Sequence, residues 1–350
     1  MTEIKIQTNQ RRYSVFAERG LLARLPVMAA PGEKALIVTD SNVAPLYCDN
    51  AARALTGAGF SVSRLVIESG EKSKNLTVFG EILETLAERN FSRTDKIFAL
   101  GGGVVGDLAG FAASSYMRGI EFYQIPTTLL AMVDSSVGGK TGVNLAHGKN
   151  LAGTFWQPSG VFLDADTLKT LSALQIKNGI AEMLKTGVIR DAALFERLAG
   201  SETPALADIL RCIEIKAEIV AQDERESGVR KLLNFGHTVG HAIEKLSDYA
   251  VPHGFAVAAG MAVAVAAGER RGISDDCLAP LLAALSLHGL PVGTDYGAAE
   301  LAQAVLSDKK LSGGKIDLIL PTRIGSAEVV PLDVSEIEAF IAVGLEALRV

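Results

Sequence analysis

Apolar and polar residues follow two different patterns along the first half of the chain. The segments EIKIQT and RYSVFAE alternate between the two, which predicts an opening pair of strands joined as a hairpin. Buried strands are predicted further on at KALIVTD, SVSRLVI, KIFAL, EFYQIP and VFLDAD. Between them, Val43–Gly57 and LTVFGEILETLAERN have the apolar spacing of helices. Strands that alternate with helices of this length predict a mostly parallel, doubly wound α/β sheet, with ligands at the carboxyl ends of its strands.

The pattern changes after VFLDAD, which ends at Asp166. Long helical segments follow from Ser172 to about Leu290, and a hairpin formed by KIDLILP and AEVVPL precedes a closing helix near Val334–Leu348. The sequence therefore predicts two domains: a Rossmann-like α/β domain over residues 1–165 and a mainly α-helical domain over residues 166–350.

Bulk composition narrows the classes of partner. The chain has 350 residues, is 48% hydrophobic and carries a formal net charge of −6. The length suffices for two hydrophobic cores. The acidic balance argues against a nucleic-acid partner, because no basic face is available for phosphate contacts along a strand. The longest nearly apolar run, Ala256–Gly268, is shorter than the ~20 residues that span a membrane, so we expect a closely packed helix there and no membrane partner.

The cysteines and the start of the chain point to a reducing compartment. Cys48, Cys212 and Cys277 have no paired spacing, which indicates neither a disulfide framework nor a thiolate metal site. The opening MTEIKIQTNQRRY lacks the basic and apolar regions of a secretory signal. We therefore expect a cytoplasmic protein.

A glycine-rich loop, Gly101–Asp107, follows the predicted strand KIFAL and opens a helix. It satisfies the G-x-G-x-x-G pattern, in which glycines let the backbone approach a pyrophosphate and the helix N-terminus supplies amide donors. The loop belongs to the third strand–helix unit, however, and no acidic residue follows about twenty residues later, as the usual fingerprint requires. Asp40, which ends the first parallel strand, is the better candidate for the ribose hydroxyls. The alternative is a tight turn that requires glycine.

A second glycine-rich stretch, Asp134–Asn144, contains the lysine of GGKTG. It is not a Walker A sequence, because the first glycine is missing at the required offset. A glycine-flanked Lys140 can still place a point charge on a phosphate beside backbone donors, and Lys149 with Asn150 repeats the pattern nine residues later. The alternative is a pair of solvated loop lysines.

Three of the five histidines cluster late in the chain. His237 and His241 are four residues apart, so they project from one face of a helix, and His253 follows beside a glycine that would leave room for a metal. The pattern is not H-E-x-x-H, so a metalloprotease is not indicated. We interpret these residues as metal ligands or catalytic groups; the alternative is structural histidines.

Glu182 and Lys185 are three residues apart on one helical face. The ordinary interpretation is a surface ion pair, but the apolar flanks, such as Met183 and Leu184, predict a partly buried helix. Lys216 and Arg230 would by default lie on solvated helical faces. Arg230 shares a face with His237 if one continuous helix connects them.

The ordered motifs of the chain resemble those of the 3-dehydroquinate synthase family from about Asp40 to Met261. The resemblance rests on TDSNV, GEKSKN, GGGVVGDLAGFAASSYMRG, IPTTLLAMVDSSVGGKTGVN, GKNLAGTFWQP, AEMLKTG, DERESGVRKLLNFGHTVGHAIE and HGFAVAAGM. It implies a homodimeric enzyme that acts on a small sugar acid phosphate, with NAD bound by the α/β domain and Zn²⁺ or Co²⁺ bound by the helical domain.

The resemblance also implies individual roles. The metal ligands would be Glu182, His237 and His253. Residues at the NAD site would be Asp40, Asn42, Glu71, Lys74, Gly103, Val104, Val105, Gly106, Asp107, Thr127, Thr128, Lys140, Lys149, Thr167, Leu168, Lys169 and Thr170. Substrate contacts and catalytic groups would be Asp134, Lys140, Lys149, Asn150, Lys185, Lys216, Arg230, Asn234 and His241. Arg118 would reach across a dimer interface, and Lys309 or Lys310 would close over the phosphate.

One position departs from the family pattern. The common HGEAV reads HGFAV here, so Phe255 replaces an acid two residues after His253. This predicts the loss of a carboxylate that could orient the His253 imidazole. Two alternative functions stay open for this chain. One is a metal-dependent NAD polyol or glycerol-phosphate dehydrogenase of similar architecture, and the other is a catalytically silent NAD-binding homologue.

Overall fold

The computed structural model describes residues 1–307 and 314–349, which fold into two compact units. Unit 1 consists of Met1–Ser172 and Lys216–Arg225. Unit 2 consists of Ala173–Ile215 and the described part of Glu226–Val350. Lys309 and Lys310 lie outside the described residues.

Unit 1 is built on a seven-stranded sheet and a separate hairpin. Its strands are β1 (Thr2–Gln7), β2 (Arg12–Ala17), β3 (Lys34–Asp40), β4 (Ser61–Ile67), β5 (Lys96–Gly101), β6 (Glu121–Pro126), β7 (Lys140–Leu145), β8 (Gly148–Phe155) and β9 (Gly160–Leu163). The sheet has the order β1-β2-β9-β6-β5-β3-β4, and all neighbours in it are parallel except the hairpin β1–β2. The predicted opening hairpin and parallel α/β sheet are confirmed.

Helices cover both faces of this sheet, as a doubly wound fold requires. They are α1 (Asp49–Gly57), α2 (Leu76–Glu88) and α3 (Gly103–Ser115). Because successive strand residues point to opposite faces, Ala35 and Ile37 of β3 pack in the core that contains α1. Leu36 and Val38 pack in the core that contains α3. The segment predicted as one helix from Val43 instead starts as a π-helical turn, Ala44–Cys48, before α1.

The hairpin β7–β8 was not predicted from the sequence, which indicated only a phosphate loop at this place. Its two strands are antiparallel. Their pairing begins with Lys140 opposite Phe155, and the register shifts between Val143 and Leu145. Gly142 and Gly153 explain why glycines are so frequent here. A Cβ atom on Gly153 would lie 2.1 Å from the carbonyl oxygen of Thr141, so the two backbones pack in direct contact.

Unit 2 is mainly helical. Its elements are α4 (Ala173–Arg190), α5 (Ala192–Ala199), the first part of α6 (Leu206–Gln222), α7 (His237–Leu246), α8 (His253–Arg270), α9 (Leu278–Leu287), α10 (Ala298–Leu306), β10 (Lys315–Arg323), β11 (Ser326–Asp333) and α11 (Ile337–Ala347). The late hairpin and the closing helix are confirmed. No helix within the described ranges is long and apolar enough to cross a membrane.

Helix α8 is the central element of unit 2 and is buried from Ala256 to Gly268. It packs against α4, α7 and α11. Its small residues allow the close approach: a Cβ atom on Gly260 would lie 2.1 Å from the carbonyl oxygen of Gly236 and 2.8 Å from the nitrogen of Gly240. The alanine-rich run is therefore a core helix, as its composition predicted.

Candidate functional site

Three potential metal ligands converge in unit 2, and we call them the ligand cluster: Glu182, His237 and His253. Glu182 lies in the middle of α4 and is 1% exposed, whereas the two histidines are the first residues of α7 and α8. Glu182 Oε1 lies 3.7 Å from Nε2 of His237 and 3.6 Å from Nε2 of His253. The three ligand atoms all lie within 4.8 Å of one another. The structure thus brings the predicted ligands together.

The backbone around these histidines explains how they meet. Gly236, just before α7, adopts φ +78°, and a side chain there would collide with Met261 and with the Val257 carbonyl. Gly254 of α8 packs on α4, where its N–H donates to Asn178 Oδ1 and a Cβ atom would lie 2.2 Å from the Asn178 carbonyl oxygen. The glycine next to His253 is therefore required by helix packing.

Each of the two histidines is oriented through its Nδ1 atom. His237 Nδ1 lies 3.1 Å from the carbonyl oxygen of Phe235, which can only accept a hydrogen bond. Nδ1 must therefore carry the proton, which leaves the Nε2 lone pair directed at Glu182. His253 Nδ1 lies 3.2 Å from Glu244 Oε2, so a carboxylate orients this ring in the same way.

His253 therefore has an orienting carboxylate, although Phe255 stands where the resemblance led us to expect an acid. Glu244, on α7, supplies the carboxylate and is only 4% exposed. The position of Glu244 in the sequence could have indicated this role. Glu244 is seven residues after His237 and three after His241, which places all three on one face of a helix.

Burial and charge set the protonation of the two rings differently. Burial, together with the nearby Lys185 charge, lowers the pKa of His237 well below its usual value, so this ring is neutral. Burial also disfavours the charged form of His253, but hydrogen bonds and attraction to Glu182 and Glu244 outweigh it and raise the pKa of His253 to about 10. A cation that binds Nε2 of His253 would therefore displace a proton.

The ion pair of Glu182 with Lys185 is a core feature and not a surface one. Lys185 Nζ contacts Glu182 Oε2, and the two side chains are 2% and 1% exposed. The apolar flanks correctly indicated a buried helix. Because breaking a buried pair leaves an uncompensated charge, both groups are fixed in position.

Three further predicted residues lie in unit 2, and one of them, His241, is beside the ligand cluster. The His241 ring centroid is 5.2 Å from that of His237 and 6.2 Å from that of His253. Arg230 is 1% exposed, and Asn234 donates to Glu226 Oε1 at 2.7 Å. Arg230 and Asn234 lie in a 3₁₀ turn, Val229–Asn234. The continuous helix that would align Arg230 with His237 does not exist, because Gly236 interrupts it.

The glycine loop of unit 1 has the predicted strand–turn–helix geometry. Helix α3 begins at Gly103, and the Thr127 N–H donates to the carbonyl oxygen of Gly101 at 3.0 Å, which joins the ends of β5 and β6. A Cβ atom on Gly102 would touch Thr128, and one on Gly106 would lie 2.5 Å from Gln124 Oε1. Glycine is thus needed for close packing of α3 on the sheet, and the helix N-terminus still offers its amide donors.

A polar network, which we call the Lys74 cluster, lies beside this loop. Lys74 is 5% exposed, and its Nζ donates at 2.5 Å both to Asp107 Oδ2 and to Asn150 Oδ1. Burial alone would lower the pKa of Lys74, but the Asp107 and Glu71 carboxylates together outweigh it and raise the pKa. Glu71 and Asn144 complete the cluster through an amide-to-carboxylate hydrogen bond of 2.7 Å. The structure thus brings four predicted residues into one network, together with Asn144, which was not among the predicted site residues.

The remaining predicted residues of unit 1 occupy several places. Asp40 Oδ1 accepts from the N–H groups of Asn42 and Val43, so Asp40 caps the turn after β3. The stretch Thr167–Thr170 forms the end of a 3₁₀ helix, and Thr167 accepts through its carbonyl oxygen from the Tyr47 hydroxyl at 3.2 Å. Lys169 is exposed and pairs with Asp166.

Four basic residues of unit 1 have different surroundings. Lys216 is 7% exposed, and its Nζ donates to the Asp134 carboxylate and carbonyl. Lys140 starts β7 just after Gly139, which adopts φ +68°, and Lys149 lies beside Asn150 on β8. Arg118 is exposed beyond the C-terminus of α3, at the opposite end of the helix from Asp107. The structure does not bring Arg118 to the Lys74 cluster of its own chain.

Comparison with known proteins gives matches over most of the chain. Residues 64–178 match the family model described as 3-dehydroquinate synthase N-terminal, and residues 179–311 match the one described as 3-dehydroquinate synthase C-terminal. A 3-dehydroquinate synthase from Alkaliphilus metalliredigens is 42% identical over 97% of this chain and 98% of its own length.

Two solved structures share the fold over nearly the full chain. The 2-epi-5-epi-valiolone synthase of Streptomyces hygroscopicus, with NAD⁺ and Zn²⁺ bound, has a TM-score of 0.87 and 31% identity, over 95% of this chain and 97% of that one. A 2-deoxy-scyllo-inosose synthase complexed with carbaglucose-6-phosphate, NAD⁺ and Co²⁺ has a TM-score of 0.86 and 25% identity, over 97% of this chain and 99% of that one.

Proposed function

The chain belongs to the 3-dehydroquinate synthase family, and from this premise we propose how its residues perform the reaction. The activity is that of a carbon–oxygen lyase, which converts 3-deoxy-D-arabino-heptulosonate 7-phosphate to 3-dehydroquinate and phosphate. The observation that carries the assignment in the structure is the ligand cluster in unit 2, with its buried lysine partner.

We propose that the ligand cluster holds a divalent cation, Zn²⁺ or Co²⁺. Two atoms that are each about 2.1 Å from a tetrahedral metal lie about 3.4 Å apart. The separations of 3.6 and 3.7 Å between Glu182 and the two imidazoles are close to that value. A bound cation would act as a Lewis acid that holds substrate hydroxyls and makes one of them more acidic. Three protein ligands leave further coordination positions for the substrate.

NAD is proposed as the cofactor of unit 1. Its pyrophosphate would accept from the amides at the start of α3, from Gly103 to Asp107, because that helix end favours anions. Asp40 and Asn42, at the carboxyl end of β3, would contact a ribose, and Glu71, Lys74, Thr127, Thr128 and Thr167–Thr170 would complete the site. Bound NAD would supply a reversible hydride acceptor that is regenerated in every turnover.

The chemistry of the substrate explains why positively charged side chains are needed near its phosphate. Oxidation of one hydroxyl to a ketone acidifies the adjacent C–H, and the phosphate then leaves by β-elimination. Reduction of the ketone, ring opening and an intramolecular aldol reaction complete the carbocycle. We propose that Lys140, Lys149 and Asn150 bind the phosphate, and that Arg118 of a dimer partner adds a further charge.

Buried polar groups are proposed to bind the rest of the substrate. Arg230 and Lys216 carry the positive charges that a carboxylate requires, and Asp134 fixes the position of Lys216. Lys185 and Asn234 would donate to substrate oxygens, and His241 would transfer a proton. We also propose a cytoplasmic homodimer.

One experiment tests this function. The protein is incubated with the heptulosonate phosphate, NAD⁺ and Zn²⁺ while absorbance at about 340 nm and released phosphate are followed. We expect phosphate release at steady absorbance, with 3-dehydroquinate as the product. Rising absorbance would instead identify a polyol or glycerol-phosphate dehydrogenase. If absorbance stays constant and no phosphate is released, the protein is a catalytically silent homologue.

A further inference from the structure

Asn144 occupies an irregular position in the hairpin β7–β8. Val143 pairs with Ala152 and Leu145 pairs with Gly148, so Asn144 alone faces the three residues from Lys149 to Leu151. Such a bulge redirects side chains and is common beside active sites. The longer side of this bulge carries Lys149 and Asn150, the residues proposed to bind phosphate.

The backbone of Asn150 requires external support. Its φ of +55° lies in the left-handed region, which is unfavourable for residues other than glycine, although asparagine tolerates it better than most. Two contacts hold Asn150 there. Its N–H donates to Asn144 Oδ1 at 2.9 Å, and its Oδ1 accepts from Lys74 Nζ at 2.5 Å.

Asn144 is equally attached to the turn that contains Glu71 and Lys74. Its Nδ2 donates to Glu71 Oε1 at 2.7 Å, and its backbone N–H donates to the carbonyl oxygen of Lys74 at 2.8 Å. One side chain therefore uses its donor on the proposed nucleotide-binding turn and its acceptor on the proposed phosphate-binding hairpin.

We propose that Asn144 is a positioning residue that couples NAD binding to phosphate binding. This inference rests on the proposed function. A ligand that orders the Glu71–Lys74 turn also orders Asn150 through Asn144, and the reverse holds, because coupling between two sites is reciprocal. Asn144 itself touches neither ligand in this proposal.

Two variants separate the two contacts. Asn144→Ala removes both side-chain hydrogen bonds. Asn144→Asp keeps an acceptor for the Asn150 N–H but places a carboxylate against Glu71. In the double variant Asn144→Asp/Glu71→Gln, the new amide can donate to the new carboxylate, which restores the contact with its direction reversed. Leu145→Ala, at an exposed neighbour outside the network, is the matched control.

The experiment measures Kd for NADH by its fluorescence, with and without inorganic phosphate, and Kd for phosphate with and without NADH. These probes do not react, so binding is observed without turnover. In the wild type and in Leu145→Ala, we expect each ligand to tighten the other. In Asn144→Ala, both Kd values should rise by up to about tenfold, the effect of losing one intramolecular hydrogen bond on each side, and the mutual tightening should disappear.

Asn144→Asp should weaken NADH alone by about tenfold and leave phosphate affinity within about twofold of the wild type. In the double variant, the loss of NADH affinity should be smaller than the sum of the losses in Asn144→Asp and Glu71→Gln, each measured alone. Equal binding by Asn144→Ala and Leu145→Ala would overturn the proposal. The proposal would also be overturned if Asn144→Asp loses NADH affinity and the added Glu71→Gln change restores none of it. If the wild type binds no NADH, the proposed function fails instead.

Discussion

Replacement of Glu244 should weaken cation binding by unit 2, although Glu244 is outside the proposed ligand set. Its carboxylate is buried and lies 3.2 Å from Nδ1 of His253. This contact holds the imidazole so that Nε2 faces Glu182, and it makes the ring a stronger donor to a metal. Glu244→Ala removes the acceptor and its charge. Glu244→Gln retains an oxygen acceptor and removes only the charge.

The size of the effect follows from this geometry. Replacement of such outer partners typically lowers metal affinity by about 10- to 100-fold. The 3.2 Å separation is longer than that of the strongest charge-assisted hydrogen bonds, about 2.7–2.9 Å. We therefore expect about a tenfold loss in Glu244→Gln. Glu244→Ala should lose about 100-fold, because it also leaves the His253 N–H without its acceptor.

The assay is a titration of Zn²⁺ or Co²⁺ in competition with a chromophoric chelator, which reports affinity and stoichiometry without any turnover. Glu338→Gln, at an exposed position of α11, is the matched control. If both Glu244 variants bind the cation within twofold of this control, the orienting role is refuted. If they bind none while His237→Ala still binds one, the cation is held instead by the second group of potential ligands, His241, Glu244 and His253.

Three further predictions test other parts of the structure. His237→Ala should lose the cation, whereas His241→Ala should retain it and lose turnover; equal loss of metal in both would show that their roles are misassigned. Arg118→Ala and His237→Ala should each be nearly inactive, and co-refolding them should restore up to about a quarter of wild-type activity if dimers mix at random. A mixture that stays inactive despite proven heterodimers would place Arg118 outside the partner's site. Burial, with the Glu121 charge, raises the pKa of Tyr123 to about 12. Because the unfolded chain ionises near pH 10, this contribution to stability is complete below pH 10 and is lost as pH rises towards 12. Between pH 10 and 12, the free energy of unfolding from urea titrations should therefore fall less in Tyr123→Phe than in the wild type. An equal fall in both proteins would show that ionisation of Tyr123 is not responsible.

The sheet was predictable largely because strands such as β3 have a continuous apolar run between turns. In β3, Ala35 to Val38 are all fully buried, so the sequence shows an uninterrupted apolar segment. The hairpin β7–β8 was not predictable in this way. Its strands are held together by contacts between backbones, with Gly142 opposite Gly153, and glycine-rich segments resemble loops when only side-chain pattern is considered.

The ligand cluster was predictable in its residue types but not in its support. Histidine pairs at helical spacing are rare enough to indicate a site. Spacing alone, however, could not show that Gly236 ends the preceding turn, since this depends on contact with Met261 in another helix. Glu244 was missed for a related reason, because an acidic residue on a helix is usually solvated, and its burial here depends on the tertiary packing of α7.

The contact between α7 and α8 determines the span between two of the proposed ligands. Because Gly260 packs against the backbone at Gly236 and Gly240, main-chain contacts set how closely the starts of the two helices, at His237 and His253, approach each other. Exchange of ligand types can therefore change which ion is preferred while the span stays constant. Adaptation to an ion of different radius would instead require changes at these glycines, which offer no side-chain ligand themselves.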